Sequence, residues 1–314
     1  MQLDCFARRF LCSPPSSLLS PVALPSPRET HLWYVIPDEV QKKSLLKLYM
    51  EQLSLDEKEN IYHFNDDKLQ KHALLTRTLV RTTLVRYTSS QLSPKSLEFK
   101  KNEFGKPELL WAKEKNWEPP SLQFNISHTP SLIACAVTSG AVIGIDIEEK
   151  QRKTRNNTLS FARRYFSPAE VQILEALTDP DVQQQEFIKL WTMKEAYVKA
   201  LGRGFWAAPF RDFTIRFRAT EGLQSSSQPC SPPYTLETVL ETSSSLDKFA
   251  RSWRFALFEL ANTHYGAICM EREDHVKDEQ GLIRLKAWKT IPFLEDKFVS
   301  GTDAVIPISG LTTS

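Results

Sequence analysis

Hydrophobic residues recur along the chain with the periods of helices and strands. The apolar run at 32–36, closed by Pro37, predicts a buried strand. The stretch 53–57 resembles the beginning of a helix. Over 66–87, leucine and valine recur three and four residues apart, which predicts a long helix with arginines interleaved.

Strand-like runs dominate the middle of the chain. They cover 97–99, 122–126, 132–138 and 142–147. Ser139-Gly140, between the last two runs, predicts a hairpin turn. Further strands are predicted at 253–260 and 264–270. A low-complexity loop is predicted at 224–233.

Two helices are predicted between these groups of strands. Ser167, Pro168 and Glu170 form a strong start signal, because serine caps, proline suits the first turn and glutamate completes a capping box. A second helix is predicted over 186–201, and Gly202 is well placed to end it in a left-handed conformation.

Each half of the chain thus carries a long helix and several strands, which suggests an internal duplication. With 314 residues, the chain can form one large domain or two modest ones. The prediction is an α+β protein with two lobes. The boundaries expected are a tail at 1–30, an N-terminal lobe at 31–141, a C-terminal lobe at 142–272 and an extension of unassigned role at 273–314.

Composition narrows the functional classes. Lys and Arg number 40 against 38 Asp and Glu, a net charge of +2, which argues against a uniform basic surface for nucleic acid. The five cysteines are scattered without a C-x-x-C pair, which argues against a disulfide framework or a cysteine zinc site. No apolar run approaches the roughly 20 residues that span a bilayer, so no membrane segment is expected.

The first residues differ from the rest of the chain. Residues 1–28 contain three arginines, many serines and prolines, and a single acid, Asp4. Basic, serine-rich and acid-poor composition is typical of an organellar transit peptide. We therefore expect a mitochondrial protein, with a cytoplasmic location as the first alternative and a plastid location as the second. A disordered tail without targeting function is the competing interpretation.

A pair of acids lies on one predicted strand. Asp146 and Glu148 are two residues apart, so both side chains point to the same face. Two neighbouring carboxylates repel unless something neutralises them, and Mg²⁺ does so because it prefers oxygen ligands. The alternative is an edge strand with a solvated acidic face.

The predicted helix at 186–201 carries a row of functional side chains. Trp191, Glu195 and Lys199 follow one another at intervals of four residues, beside an apolar face. The alternative is an ordinary Glu–Lys pair that stabilises a helix by about 0.2–0.5 kcal/mol.

A third set of residues suits an anionic ligand. Gly105 permits a tight turn that presents Lys106, and Ser127 and His128 follow a predicted strand. Lysine, hydroxyl and imidazole groups bind phosphate well. Alternatively, the histidine is a satisfied structural residue and the lysine a solvated surface charge.

The order of these motifs is more specific than any one of them. The chain reads Phe-Gly-Lys-Pro, Asn-Ile-Ser-His, Gly-Ile-Asp-Ile-Glu, Phe-Ser-Pro-Ala-Glu and Trp-Thr-Met-Lys-Glu-Ala-Tyr-Val-Lys-Ala-Leu-Gly-Arg-Gly. It resembles the 4′-phosphopantetheinyl transferase superfamily, most of all the larger, monomeric, two-lobed type. The motifs span 104–204. The resemblance implies a pseudo-duplicated α+β fold with the active site in the cleft between the lobes.

The resemblance also implies a reaction. Such enzymes move the phosphopantetheine arm of coenzyme A onto a serine of an apo acyl or peptidyl carrier protein and release adenosine 3′,5′-bisphosphate. It implies that Asp146, Glu148 and Glu195 bind Mg²⁺, that Glu195 is the general base, and that Lys199 assists the departing phosphate.

Coenzyme A contacts are implied in the same way. They fall on His128 at the 3′-phosphate, on Lys106, Pro107, Asn125, Ser127 and Lys199 around the nucleotide, and on His72 in the first lobe. The first lobe departs from the bacterial pattern, since an arginine is replaced near His72. The basic residues offered there are Lys68, Lys71, His72, Arg77 and Arg81.

The resemblance implies a monomeric enzyme whose partner is a folded, acidic carrier protein, most of all a mitochondrial-type acyl carrier protein. Candidate contact residues are Arg163, Arg164, Arg203 and Phe205. Three other functions compete: a scaffold that binds coenzyme A or a carrier protein without catalysis, a magnesium-dependent hydrolase of the coenzyme A pyrophosphate, and a purely structural domain.

Overall fold

The computed structural model describes residues 19–89, 91–111, 117–152, 157–204, 209–218, 235–242, 253–271, 283–308 and 310–311. The α-helices are α1 (Lys43–Glu51), α2 (Leu55–Tyr62), α3 (Asp67–Val85), α4 (Thr158–Tyr165), α5 (Pro168–Glu175) and α6 (Pro180–Leu201). The strands are β1 (Glu29–Val35), β2 (Glu98–Lys101), β3 (Pro107–Leu110), β4 (Leu122–His128), β5 (Ile133–Ser139), β6 (Ile143–Glu149), β7 (Phe213–Arg218), β8 (Thr235–Thr242), β9 (Trp253–Leu260), β10 (His264–Glu271), β11 (Arg284–Ile291), β12 (Glu295–Phe298) and β13 (Val305–Pro307).

The first lobe is built on a five-stranded sheet in the order β12-β11-β1-β5-β4. Strand β1 runs parallel to β11 and antiparallel to β5. The long helix α3 packs on this sheet and on α1 and α2, so the apolar stripe read from its leucines is buried from Leu74 onward, whereas Leu69 near its start is exposed. A separate hairpin of β2 and β3 extends from the lobe.

The second lobe is built on the sheet order β6-β10-β9-β8-β7, with β13 paired to β9. The capping signals of its helices lie where the sequence predicts, but α4 was not predicted, and α6 begins at Pro180, six residues before the predicted start at 186, because Asp179 caps it there. Ser167 and Glu170 form a capping box at α5. Gly202 ends α6 in the left-handed region at φ 66°. Two lobes of mixed helix and sheet confirm the α+β architecture.

The C-terminal stretch joins both lobes. Strands β11 and β12 belong to the first sheet, and β13 belongs to the second. The part of the chain from Ile283 onward, to which the sequence assigned no role, therefore ties the two sheets together.

The predicted hairpin at Ser139-Gly140 is wrong. Strand β5 pairs with β1 and β4, whereas β6 pairs with β10, so the two strands lie in different sheets. Gly140 lies at φ 83°, in the short link where the chain passes from one lobe to the other. Spacing along the chain does not distinguish such a link from a tight turn, because both need a permissive glycine.

A line of side-chain hydrogen bonds joins the lobes beside this link. The Ile145 amide donates to Asn125 Oδ1 at 3.0 Å, and the Ile147 amide donates to Ser127 Oγ at 3.1 Å. Strands β4 and β6 thus run side by side in the same direction, with β4 side chains in place of backbone partners. Behind them, apolar residues of both sheets form a shared core.

The packed chain begins before residue 31. Leu19 is buried in the first lobe, and the Val22 amide donates to the Arg86 carbonyl at 3.0 Å. The first 18 residues, which carry most of the predicted transit segment, and the predicted loop at 224–233 lie outside the described residues. Across the described parts of the chain, no helix is both long and apolar enough to cross a bilayer.

Candidate active site

Three polar side chains meet where β4, β6 and α6 come together. Lys199 Nζ lies 2.6 Å from Asp146 Oδ1 and donates to Ser127 Oγ at 3.0 Å. Ser127 Oγ donates to the same Asp146 oxygen at 3.0 Å. The predicted strand acid, helix lysine and loop serine are therefore in direct contact across the lobes.

Local packing explains this contact. Gly144 is so close to α6 that an added Cβ would lie 2.0 Å from the Ala196 carbonyl oxygen and 2.3 Å from the Ala200 amide nitrogen. Because no side chain separates strand from helix at Gly144, the residues that follow on β6 pass directly under α6. Asp146 is thereby held below Lys199.

The predicted row on α6 faces this site. Trp191, Glu195 and Lys199 are partly exposed, whereas the residues between them are buried. A helix whose other faces are buried leaves a single row accessible from the cleft. The row that the four-residue spacing predicts beside the apolar face of the helix is thus present in the structure.

The three acids interact electrostatically. Burial, reinforced by the nearby Asp146 carboxylate, raises the pKa of Glu148 to about 7. Burial and Asp146 likewise raise the pKa of Glu195. Raised pKa values of this origin show that the three carboxylates are close enough to repel one another, which a bound cation would relieve.

The fit of a metal ion rests on one atom in particular. Within the described ranges, no three His, Cys, Asp or Glu side chains converge as a metal-holding group. Two of the three acids instead contact cationic side chains, Asp146 with Lys199 and Glu148 with Arg152. However, Asp146 Oδ2 is buried without a hydrogen-bond partner in the described structure. A buried carboxylate oxygen without a donor is suited to a cation, so the acids fit a divalent ion.

The two predicted phosphate histidines lie together. The His72 and His128 rings make an edge-to-face contact with centroids 4.9 Å apart. His72 Nε2 donates to the Thr129 carbonyl at 2.8 Å. Burial, together with the neighbouring His72 and Lys199, lowers the pKa of His128. Helix α3 of the first lobe thus contributes His72 to the edge of the site.

Lys106 has partners that differ from the implied phosphate. Its ammonium group donates to the Ile143 and Lys199 carbonyls at 3.0 and 2.9 Å, and burial lowers its pKa to about 8. Asn125 also uses its side-chain oxygen on β6. In the structure both side chains hold the lobes together beside the site.

A cavity of about 710 Å³ lies near Lys106 and Pro107. It reaches the start of β4 and Val142, whereas the acids and Ser127 lie near the ends of β4 and β6. At about 3.3 Å per residue, the cavity and the acids are roughly 15 Å apart along the strands. We place the reaction centre at the acids, because Asp146, Lys199 and Ser127 meet there.

Other predicted residues have structural partners. Arg81 is buried and forms an ion pair with Glu57 at 2.8 Å, so it supports the first lobe. Arg163 pairs with Glu175 on the surface of the second lobe. Phe205 lies outside the described residues.

Arg152 was not singled out from the sequence. It forms an ion pair with Glu148, and its guanidinium lies over the Trp191 ring, 5.4 Å from the centroid. Its position four residues after Glu148 was the available signal, but the stretch after β6 gave no helical pattern to interpret it.

Comparison with known proteins agrees with this geometry. A family model for the 4′-phosphopantetheinyl transferase superfamily matches residues 142–257. A second, for the N-terminal part of 4′-phosphopantetheinyl transferases, matches residues 40–140. The two matches are adjacent, and they divide the chain at the link between its lobes.

Individual relatives match to different extents. A 4′-phosphopantetheinyl transferase of Bacillus subtilis is 42% identical over 32% of this chain and 41% of its own length. The chain thus spans less than half of the length of this relative and of two further bacterial 4′-phosphopantetheinyl transferases that it matches. An L-aminoadipate-semialdehyde dehydrogenase-phosphopantetheinyl transferase of Xenopus laevis is 26% identical over 81% of this chain and 79% of its own.

Among solved structures, the holo-[acyl-carrier-protein] synthase of Thermotoga maritima is 22% identical with a TM-score of 0.29, over 42% of this chain and 64% of that chain. The family matches over both lobes, together with the meeting of Ser127, Asp146 and Lys199, assign the chain. It belongs to the 4′-phosphopantetheinyl transferase superfamily, in its larger, two-lobed type.

Proposed function

We propose that this protein transfers the 4′-phosphopantetheine arm of coenzyme A to a serine of an apo carrier protein, a holo-[acyl-carrier-protein] synthase activity. The observation that carries the proposal is the contact of Lys199 Nζ with Asp146 Oδ1 and Ser127 Oγ at 2.6 and 3.0 Å. It places a cation, a buried carboxylate and a hydroxyl at one point between the lobes, beside Glu195.

The residues supply positioning and charge, which is what phosphoryl transfer requires of a protein. Glu195 accepts the proton of the carrier serine as its oxygen bonds to the phosphorus that bears the pantetheine arm. The bond from that phosphorus to the bridging oxygen breaks, and adenosine 3′,5′-bisphosphate leaves. Lys199 stabilises the charge on the departing phosphate, and His72 and His128 lie where a further phosphate can be held.

The acids favour a divalent cation, and we propose Mg²⁺. Asp146, with its unpartnered Oδ2, Glu148 and Glu195 would hold it. A bound ion of this kind would neutralise charge on the pyrophosphate of coenzyme A.

The decisive measurement is the intact mass of an apo acyl carrier protein after incubation with the protein, coenzyme A and Mg²⁺. We expect a gain of one phosphopantetheine arm and its absence in EDTA. Glu195→Gln keeps the shape of the side chain but cannot accept the proton, so we expect transfer to slow about 10²- to 10⁴-fold. Glu175→Gln, an exposed acid paired with Arg163, is the matched control and should transfer normally.

A scaffold that binds coenzyme A without catalysis is the second candidate. It is favoured by the partners of Lys106 and Asn125, which hold the lobes together and need no chemistry. Coenzyme A binding without a mass gain on several carrier proteins would establish this candidate and exclude transfer.

The N-terminal composition supports a proposal for the carrier protein and the compartment. We propose that the protein is a monomer located in mitochondria and that its substrate is a mitochondrial-type acyl carrier protein. The location is proposed because residues 1–28 are basic, serine-rich and acid-poor. Fusing residues 1–30 to a fluorescent reporter tests the location. Diffuse cytoplasmic fluorescence, or fluorescence in plastids, would refute it.

A further inference from the structure

We propose that Arg152 is an internal counter-ion of Glu148 that competes with a divalent cation for this carboxylate and so sets the metal affinity of the site. The inference rests on the proposed function, because it concerns the same acids. It adds a residue that neither the motifs nor the comparisons single out.

The contacts of Arg152 are specific. Its Nη1 donates to Glu148 Oε1, and its guanidinium lies over the Trp191 ring at 5.4 Å from the centroid. Its own carbonyl accepts a 3.0 Å hydrogen bond from Gln184 Nε2 on α6. The backbone of Arg152 is thus held against the helix that bears Glu195, and its side chain lies along the same helix.

The position of Arg152 is complementary to that of Lys199. Trp191 is one turn before Glu195 on α6, and Lys199 is one turn after it. Lys199 pairs with Asp146, and Arg152 pairs with Glu148. Each strand acid thus has its own cation, one at either end of the accessible row.

The pair has the properties of an exchangeable contact. The Arg152 side chain is 43% exposed, whereas Glu148 is 15% exposed. An ion pair with one partner in solvent is weak and screened, so the guanidinium can leave for water while the acid stays in place. A divalent ion that several acids share attracts each of them more strongly than one guanidinium does. The Trp191 face can hold the cation near the site after it leaves.

The test is Mn²⁺ binding to the full-length protein without coenzyme A, followed by the electron paramagnetic resonance signal of free Mn²⁺. Arg152→Gln should bind Mn²⁺ about three- to tenfold more tightly than the wild type, because the competing cation is gone. Lys150→Gln is the control. It removes the same charge two residues away, but Lys150 pairs with Glu259, so its Mn²⁺ affinity should equal that of the wild type.

A second pair of variants distinguishes direct competition for Glu148 from a general electrostatic effect of the Arg152 charge on the bound ion. In a Glu148→Gln background, adding Arg152→Gln should leave Mn²⁺ affinity unchanged. Thermal melts of all variants show whether each is folded. Equal or weaker Mn²⁺ binding by folded Arg152→Gln would overturn the inference, as would equal tightening in Lys150→Gln or a gain that persists without Glu148.

The two proposals fail in distinguishable ways. Absence of Mn²⁺ binding in the wild type and in every variant would overturn both the metal part of the proposed function and the role of Arg152. Tight binding that Arg152→Gln does not alter would overturn the role of Arg152 alone.

Discussion

Ser127 contacts three groups with one hydroxyl. It donates to Asp146 Oδ1, accepts from Lys199 Nζ and accepts from the Ile147 amide, at 3.0, 3.0 and 3.1 Å. Its relative exposure is 4%. A buried hydroxyl with all its hydrogen-bonding capacity used fixes its neighbours, so Ser127 sets the orientation of both Asp146 and Lys199.

Ser127→Ala should therefore reduce both stability and activity. Leaving the Ile147 amide and Lys199 without this acceptor should lower the free energy of unfolding by about 1–3 kcal/mol in urea titrations. Displacement of the charged groups should reduce kcat roughly 10- to 100-fold. Ser160→Ala, on the exposed face of α4, serves as the control. Full activity in Ser127→Ala would show that Lys199 and Asp146 are positioned by other contacts.

Gly144 determines how closely strand and helix approach. A Cβ there would lie 2.0 Å from the Ala196 carbonyl oxygen, and backbone cannot yield locally. Gly144→Ala should destabilise the protein by about 3 kcal/mol or more in chemical denaturation, with loss of soluble yield. Gly310→Ala, where nothing lies within 4 Å, should be neutral. A stable Gly144→Ala protein would mean that β6 and α6 can separate at no cost.

At the scale of elements, the β2–β3 hairpin of the first lobe caps α6 of the second. Asn102 Nδ2 donates to the Gly202 carbonyl at 2.9 Å, and Lys106 Nζ donates to the Lys199 and Ala200 carbonyls at 2.9 and 3.4 Å. The last carbonyls of a helix lack partners within it. A cationic donor at that end also interacts favourably with the negative end of the helix dipole.

Lys106→Met should thus loosen the end of α6. Amide hydrogen exchange near Gly202 should accelerate, and the free energy of unfolding should fall by about 1–3 kcal/mol. Lys100→Met is the control, because Lys100 is 55% exposed on the same hairpin and pairs only with Glu108 among the described residues. Unchanged exchange together with weaker coenzyme A binding would return Lys106 to the phosphate role implied by the resemblance.

Local elements were predictable because their signals are local. The leucine spacing identified α3, and the capping signals identified α5 and the end of α6. Strand pairing was not predictable, because it joins distant segments. Glu29 pairs with Arg284, and no periodicity reveals such a partner. The wrong hairpin at Ser139-Gly140 has the same origin.

The active site likewise contains residues that could be predicted from local spacing and contacts that could not. Residues two apart on a strand, or four apart on a helix, lie on the same face. The pairing of Asp146 with Glu148, and of Glu195 with Lys199, on common faces could therefore be inferred from the sequence. Which groups each of them contacts depends on how the lobes pack. The contacts of Arg152, and the use of Lys106 on helix carbonyls, therefore emerged only in three dimensions.

For the whole molecule, a buried histidine links the lobes. His264 Nε2 lies 3.0 Å from Thr129 Oγ1 and 3.1 Å from Ser131 Oγ, both in the first lobe. Ser131 Oγ also donates to Glu149 Oε1 of the second lobe at 2.6 Å. Burial lowers the pKa of His264 from 6.5; Glu149 opposes this and Lys150 adds to it. The contact between the lobes therefore favours the neutral form of the His264 ring.

The lowered pKa of His264 makes the stability of the folded protein depend on pH. When pH falls below 6.5, the unfolded chain binds the His264 proton before the folded protein does, so folding becomes less favourable until the lowered pKa is passed. The melting temperature should therefore fall between about pH 7.5 and about pH 5. His264→Gln keeps a hydrogen-bonding side chain that cannot titrate, so its decrease should be smaller. His63→Gln, at an exposed histidine, should keep the wild-type slope. Equal slopes in all three proteins would mean that acid acts on the fold elsewhere than at this junction between the lobes.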